Sequence, residues 1–106
     1  MKALKNKKFE FIKLSKNENE NDFKNAILFM VRKGDTKGFN FGMIEKRMDL
    51  IDSLKACKDE IKLEKADWKH LKEIAENSTW FEGVEIVSDN AMKEIFEMLK
   101  QIKNIL

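Results

Sequence analysis

The chain has 106 residues, of which 42% are hydrophobic and 38% charged, with a formal net charge of +2. That length holds one domain around one core, and the apolar content argues against wholesale disorder. With no proline and four glycines, helices can run uninterrupted and a turn-rich all-β fold is not expected.

Residues 1–8 are a basic tail, with Lys2, Lys5, Lys7 and Lys8 and no acid among them. Residues 8–14, Lys-Phe-Glu-Phe-Ile-Lys-Leu, combine aromatic and β-branched residues in partial alternation, which predicts a strand. Residues 15–21 carry no apolar residue and predict a mobile loop. Asp22 is then placed to cap a helix, its carboxylate accepting from the open N–H groups of the first turn. Phe23, Ala26, Ile27, Met30 and Val31 recur at helical spacing, with Leu28 and Phe29 widening the apolar arc. A helix apolar around so much of its girth belongs at the centre of the core or at an interface. Arg32 and Lys33 suit its carbonyl end, and Gly34 suits a left-handed stop.

The turn from Gly34 to Gly38 lacks the Gly-Lys-Ser/Thr ending of a phosphate-binding loop and follows a helix, not a strand, so no nucleotide site is expected there. A second helix from about Asn40 to Ala56 carries Ile44, Met48 and Ile51 on one stripe and Met43, Arg47, Leu50 and Leu54 on the next. Both stripes are expected to face the core. Arg47 at their edge is expected to pack its stem and pair its guanidinium with Asp67. Ile61 and Leu63 alternate with Lys62 and Glu64 in a short strand, to pair with residues 9–14 or 84–87. A third helix from Glu64 or Lys65 turns Trp68, Leu71, Ile74 and Ala75 inward, with Asp67 at its positive end. Trp80 and Phe81 form an aromatic corner. Ser88 caps a last helix whose stripe is Met92, Ile95, Phe96, Leu99, Ile102 and Leu106. The expected architecture is α+β and mostly helical: about four helices, with a small sheet of two or three short strands, in a single domain.

Sites for chemistry are scarce. Cys57 is alone, so no intrachain disulfide forms, and with His70 it makes up the whole Cys/His supply, too little for a usual zinc site. His70 lies near Asp67 and Glu73 with no nucleophile at a fitting spacing, so a catalytic role is not expected. No metal, cofactor or enzymatic activity is expected. No segment approaches about eighteen consecutive apolar residues, and the basic start is not followed by an apolar run; a soluble, cytoplasmic protein is expected.

Charge is divided along the chain. Residues 1–40 hold ten Lys/Arg against five Asp/Glu, a net +5, and residues 41–106 hold eleven against fourteen, a net −3. Lys2, Lys5, Lys7, Lys8, Arg32, Lys33 and Lys37 form a candidate basic patch for RNA or DNA, or simply a solvated end. Trp80, Phe81 and Arg47, with Asp67, are candidate contact residues for a protein partner, since such surfaces concentrate energy in Trp and Arg. A homodimer is compatible with the apolar end at Leu106.

From Phe23 to about Leu99 the chain resembles a group of small proteins encoded by tailed bacteriophages and prophages. The resemblance is carried by Gly38-Phe39 after an apolar helix and by the spacing of Ile44, Arg47, Leu50, Ile51 and Asp52. It continues through Leu63-Glu64 with Asp67-Trp68, and through Trp80 before an apolar–acidic final helix. Where the group usually has proline near the tryptophan, this chain has Phe81. Members mostly lack an assigned activity. The resemblance therefore implies a viral accessory or assembly protein, at work in a bacterial host cell, with no catalytic residues to carry over. Such a protein would bind another protein or nucleoprotein, as an assembly factor or as an inhibitor of a host-defence complex such as a CRISPR effector. A nucleic-acid-binding regulator using the basic N-terminal part is the alternative.

Overall fold

The computed structural model describes residues 2–14, 17–33, 40–77 and 88–106. In chain order these form strand β1 (Lys2–Lys5), a single 3-10 turn (Glu18–Glu20), helices α1 (Phe23–Lys33) and α2 (Phe41–Lys55), strand β2 (Glu60–Leu63), and helices α3 (Lys65–Asn77) and α4 (Asp89–Asn104). The fold is thus α+β and mostly helical, with four α-helices and a two-stranded antiparallel sheet among the described residues. Gly34, Lys37, the Gly38-Phe39 pair, Trp80, Phe81 and the segment 84–87 lie outside the described residues.

α1 is the central helix, packed on both α2 and α3, while α4 packs on α3. Phe23, Ala26, Ile27, Leu28, Met30 and Val31 are all buried, as their crowding around the helix requires. Asp22 caps it: Oδ1 accepts from the Asn25 backbone N–H at 2.9 Å and from the Asn25 side chain at 2.8 Å. The other carboxylate oxygen accepts from the Asn6 amide at 3.1 Å, tying the N-terminal segment to the start of α1.

Cationic side chains close the far ends of two helices, where the last carbonyls have no intrahelical donors. Lys24 of α1 donates to the Lys55 and Cys57 carbonyls at the end of α2. Arg47 of α2 donates from a guanidinium nitrogen to the Val31 carbonyl, in the last turn of α1, at 2.9 Å. The two helices thereby cap one another.

β1 and β2 pair in the register Lys2↔Leu63, Ala3↔Lys62, Leu4↔Ile61 and Lys5↔Glu60. Directly opposed residues share a face, so Leu4, Ile61 and Leu63 enter the core. Ala3, Lys5, Glu60 and Lys62 face outward, with a 3.5 Å ion pair between Lys62 and Glu60. Fully buried Trp68 donates its indole N–H to the Lys2 carbonyl at 2.9 Å, which anchors the sheet on α3.

The strand therefore sits at Lys2–Lys5, in what the sequence presents as a basic tail, and not at residues 8–14. The displacement has a hydrogen-bonding cause. The N–H groups of Glu10, Phe11 and Ile12 go to the Glu94 carboxylate, that of Leu14 to the Asn21 side chain, and that of Phe9 to the Asn21 carbonyl. Residues 9–14 form a strap laid across α4, satisfied without a ladder. Phe9 and Ile12 pin it to the core, Phe9 meeting the Phe23 ring at a 5.2 Å centroid separation.

Two helix faces differ from expectation by a fraction of a turn. On α2 the buried positions are Arg47, Leu50 and Leu54, a narrow i, i+3, i+7 seam, so Ile44 and Met48 fall outside it. On α4, Ala91, Ile95, Met98 and Ile102 are buried, while Met92, Phe96 and Leu106 are exposed. In both helices the described neighbouring elements bury one side, and the apolar arc is wider than that side. α3 matches its pattern, with Trp68, Leu71 and Ile74 inside.

Candidate interaction surfaces

Arg47 is only 6% exposed, so it is a structural side chain and not a surface anchor. Its stem fills the seam between α2 and α1, and its guanidinium serves Val31. The expected pair with Asp67 is not formed. Among the described residues the ion pair is Lys62–Glu60, and the Arg47 guanidinium donates to the Val31 carbonyl. Asp67 instead lines a cleft of about 320 Å³ between α2 and α3, with Lys46, Asp49, Lys69, His70 and Glu73.

Burial holds the His70 imidazole below its ordinary value of 6.5, helped by the positive charges of Arg47 and Lys46 and opposed by Glu73 and Asp67. The imidazole is thus kept toward its neutral form. The described lining contains no Ser, Thr or Cys for it to activate. Among the described residues no group of three or more His, Cys, Asp and Glu side chains is placed to hold a metal ion. No described helix is long and apolar enough to cross a membrane.

The lysine cluster of the sequence is taken apart by the fold. Lys5 stands on the outer sheet face opposite Glu60. Lys2 borders a depression beside Trp68, Glu64 and Lys65. Lys7 and Lys8 line a different cleft with Glu94 and Glu97. Arg32 lies exposed near the end of α1 and Lys33 closes that helix. Carboxylates interleave the cations, so the four N-terminal lysines do not form one continuous basic face. Lys37, Trp80 and Phe81 lie outside the described residues.

A surface that the residue pattern does not announce is the outer side of α2. Phe41 is 82% exposed, Ile44 45% and Met48 59%. At about 100° per residue these three fall within roughly 60° of one another, forming one apolar strip. Glu45 and Asp52 run beside the strip, and they and Asp49 are exposed. Of the cations of this helix, Arg47 is buried, Lys46 stands away from the strip, and exposed Lys55 continues the strip's own line toward the end of α2. Asn40 starts the helix, its side-chain oxygen accepting from the Met43 N–H at 2.9 Å, which places Phe41 at the very first helical position. Periodicity finds the apolar residues but not which of two adjacent stripes the core takes.

The second feature missed from the sequence is Glu94. Its Oε2 accepts from Glu10 N at 2.7 Å, and its Oε1 from Phe11 N at 2.8 Å and Ile12 N at 3.2 Å. Nothing local signals a contact spanning more than eighty residues.

Compared with protein-family models, characterised proteins and solved structures, the chain matches none.

Proposed function

We propose that this chain is a small, non-enzymatic interaction protein that acts by docking α2 on a protein or nucleoprotein partner. The observation that carries the reading is the exposed strip of Phe41, Ile44 and Met48 on a regular helix. Large apolar side chains gathered on one exposed face mark contact sites far more than singly scattered ones do. Recognition through a helix face uses just such i, i+3, i+7 anchors.

The surface charges of α2 support a reading of the partner's chemistry. Glu45, Asp49 and Asp52 outnumber Lys46 and Lys55 on the surface of α2, so the matching groove is apolar at its floor and basic at its rim. Grooves of that kind occur where proteins hold nucleic acid. An acidic helix seated there would exclude the natural ligand. The resemblance of residues 23–99 to phage and prophage accessory proteins supports the same setting: an assembly partner, or a host-defence nucleoprotein such as a CRISPR effector.

The experiment compares partner capture by the wild-type protein with capture by a Phe41→Ser/Met48→Ser double variant, followed by direct binding to the recovered partner. Loss of binding with unchanged thermal stability supports the reading. A gel shift with RNA and DNA at low salt addresses the basic N-terminal part; binding there that survives the double variant would favour a nucleic-acid regulator instead.

A further inference from the structure

The strap and α4 enclose a cleft of about 300 Å³ lined by Lys7, Lys8, Lys93, Asn90, Phe11 and Glu97, with Glu94 at one wall and the Phe23 ring beneath. Three consecutive backbone N–H groups, from Glu10 to Ile12, converge on one point of that wall. Converging amides of this sort form a nest that binds anions. Here the nest already holds an anion, the Glu94 carboxylate, which is a group of the same chain. The lining carries three lysines against two carboxylates, Glu94 and Glu97, and of the two Glu94 is the one held by the nest.

We propose that this cleft is a gated oxyanion site, taking a phosphate group that displaces Glu94 from the nest. The Glu94 contacts lie at the protein surface, two of the three at exposed positions, so the carboxylate can leave into water without opening the core. A carboxylate uses the three amides and leaves the lysines idle. A phosphate dianion has three terminal oxygens and can engage the amides and the ammonium groups together, which lysine serves well as a compact point charge. The ligand is either free phosphate or a phosphate monoester. Half-exposed Phe11 at the rim would add contact to a monoester carrying an aromatic ring. This site is distinct from the α2 strip, and its test does not depend on that reading.

The test is a titration of the isotope-labelled protein with inorganic phosphate and, separately, with phenyl phosphate. It follows the backbone amide signals of Glu10, Phe11 and Ile12 against sodium chloride at equal ionic strength. The expected result is saturable movement of those three signals in the millimolar range, absent with chloride. Glu94→Gln, which keeps the side-chain shape but removes the competing charge, tightens binding by about tenfold. Lys7→Ala/Lys93→Ala in that background returns it toward the wild-type value. Tighter binding of phenyl phosphate assigns an aromatic monoester, and equal binding assigns free phosphate. The proposal is overturned if the folded wild type and Glu94→Gln both lack a saturable response, or if chloride moves the same signals equally.

Discussion

Arg47 shows how one residue can read as a contact and act as a cap. Half-buried arginines at interfaces and arginines closing a helix both need a packed stem and an acceptor, and the sequence supplies both. The position of Val31 in the last turn of α1 decides between them, because its carbonyl has no intrahelical donor. Arg47→Met keeps the stem but removes the guanidinium donor to that carbonyl; it should destabilise the fold by about 2 kcal/mol in chemical denaturation. An unchanged midpoint would show that the cap carries no net energy. His70 gives a pH signature. Its folded-state pKa is lowered by burial and by Arg47, so the unfolded chain takes up the proton first as pH falls. The contribution is present above the ordinary imidazole value and is lost as pH drops through 6.5 and on through the folded value. A His70→Gln variant should therefore lose less stability than wild type between neutral and mildly acidic pH, in melts run at matched salt. Gly42 is a third case. A Cβ there would meet only the Asn40 side chain, at an ordinary 3.6 Å, so Gly42→Ala should stabilise by roughly 0.5 kcal/mol through helix propensity.

At the scale of elements, the helices were legible where local chemistry sets them. Asp22 and Ser88 stand where capping side chains are needed, and both accept from the backbone three residues on. α1 and α3 bury the residues their spacing selects. The strands were not legible. Lys2–Lys5 offers one buried side chain, Leu4, and earns its pairing from Ile61 and from Trp68, more than fifty residues away. Residues 9–14 have strand composition, but their amides are claimed by Glu94 and Asn21. The faces of α2 and α4 were half legible: a broad apolar arc fixes that a helix is amphipathic, and only its neighbours fix which part is covered. The strap makes a prediction of its own. Glu94→Ala should speed hydrogen exchange at Glu10, Phe11 and Ile12 by at least about tenfold while leaving the amides of α1 protected. Uniform acceleration across the core would mean that Glu94 supports global stability and does not latch the strap alone.

For the whole molecule, the division of charge along the sequence does not survive folding as a division in space. The N-terminal lysines are distributed over the sheet and two separate depressions, each with carboxylates nearby. α2 is balanced, three acids against three cations, and with Arg47 buried its surface holds Glu45, Asp49 and Asp52 against Lys46 and Lys55, beside exposed Phe41, Ile44 and Met48. The molecule keeps Trp68 and the α1 side chains buried and presents Phe41, Ile44 and Met48 on the exposed side of α2. On the proposed reading, a partner that covers those three side chains would remove the cost of leaving them in water. The direct measurement is affinity capture from the cell that carries the gene, run in parallel with wild type and with Phe41→Ser/Met48→Ser, with melting temperatures recorded for both. The interaction account predicts a defined stoichiometric partner with wild type, loss of at least about tenfold in its affinity with the double variant, and no fall in melting temperature. A partner retained equally by both proteins would contradict it, as would a wild-type protein that retains none.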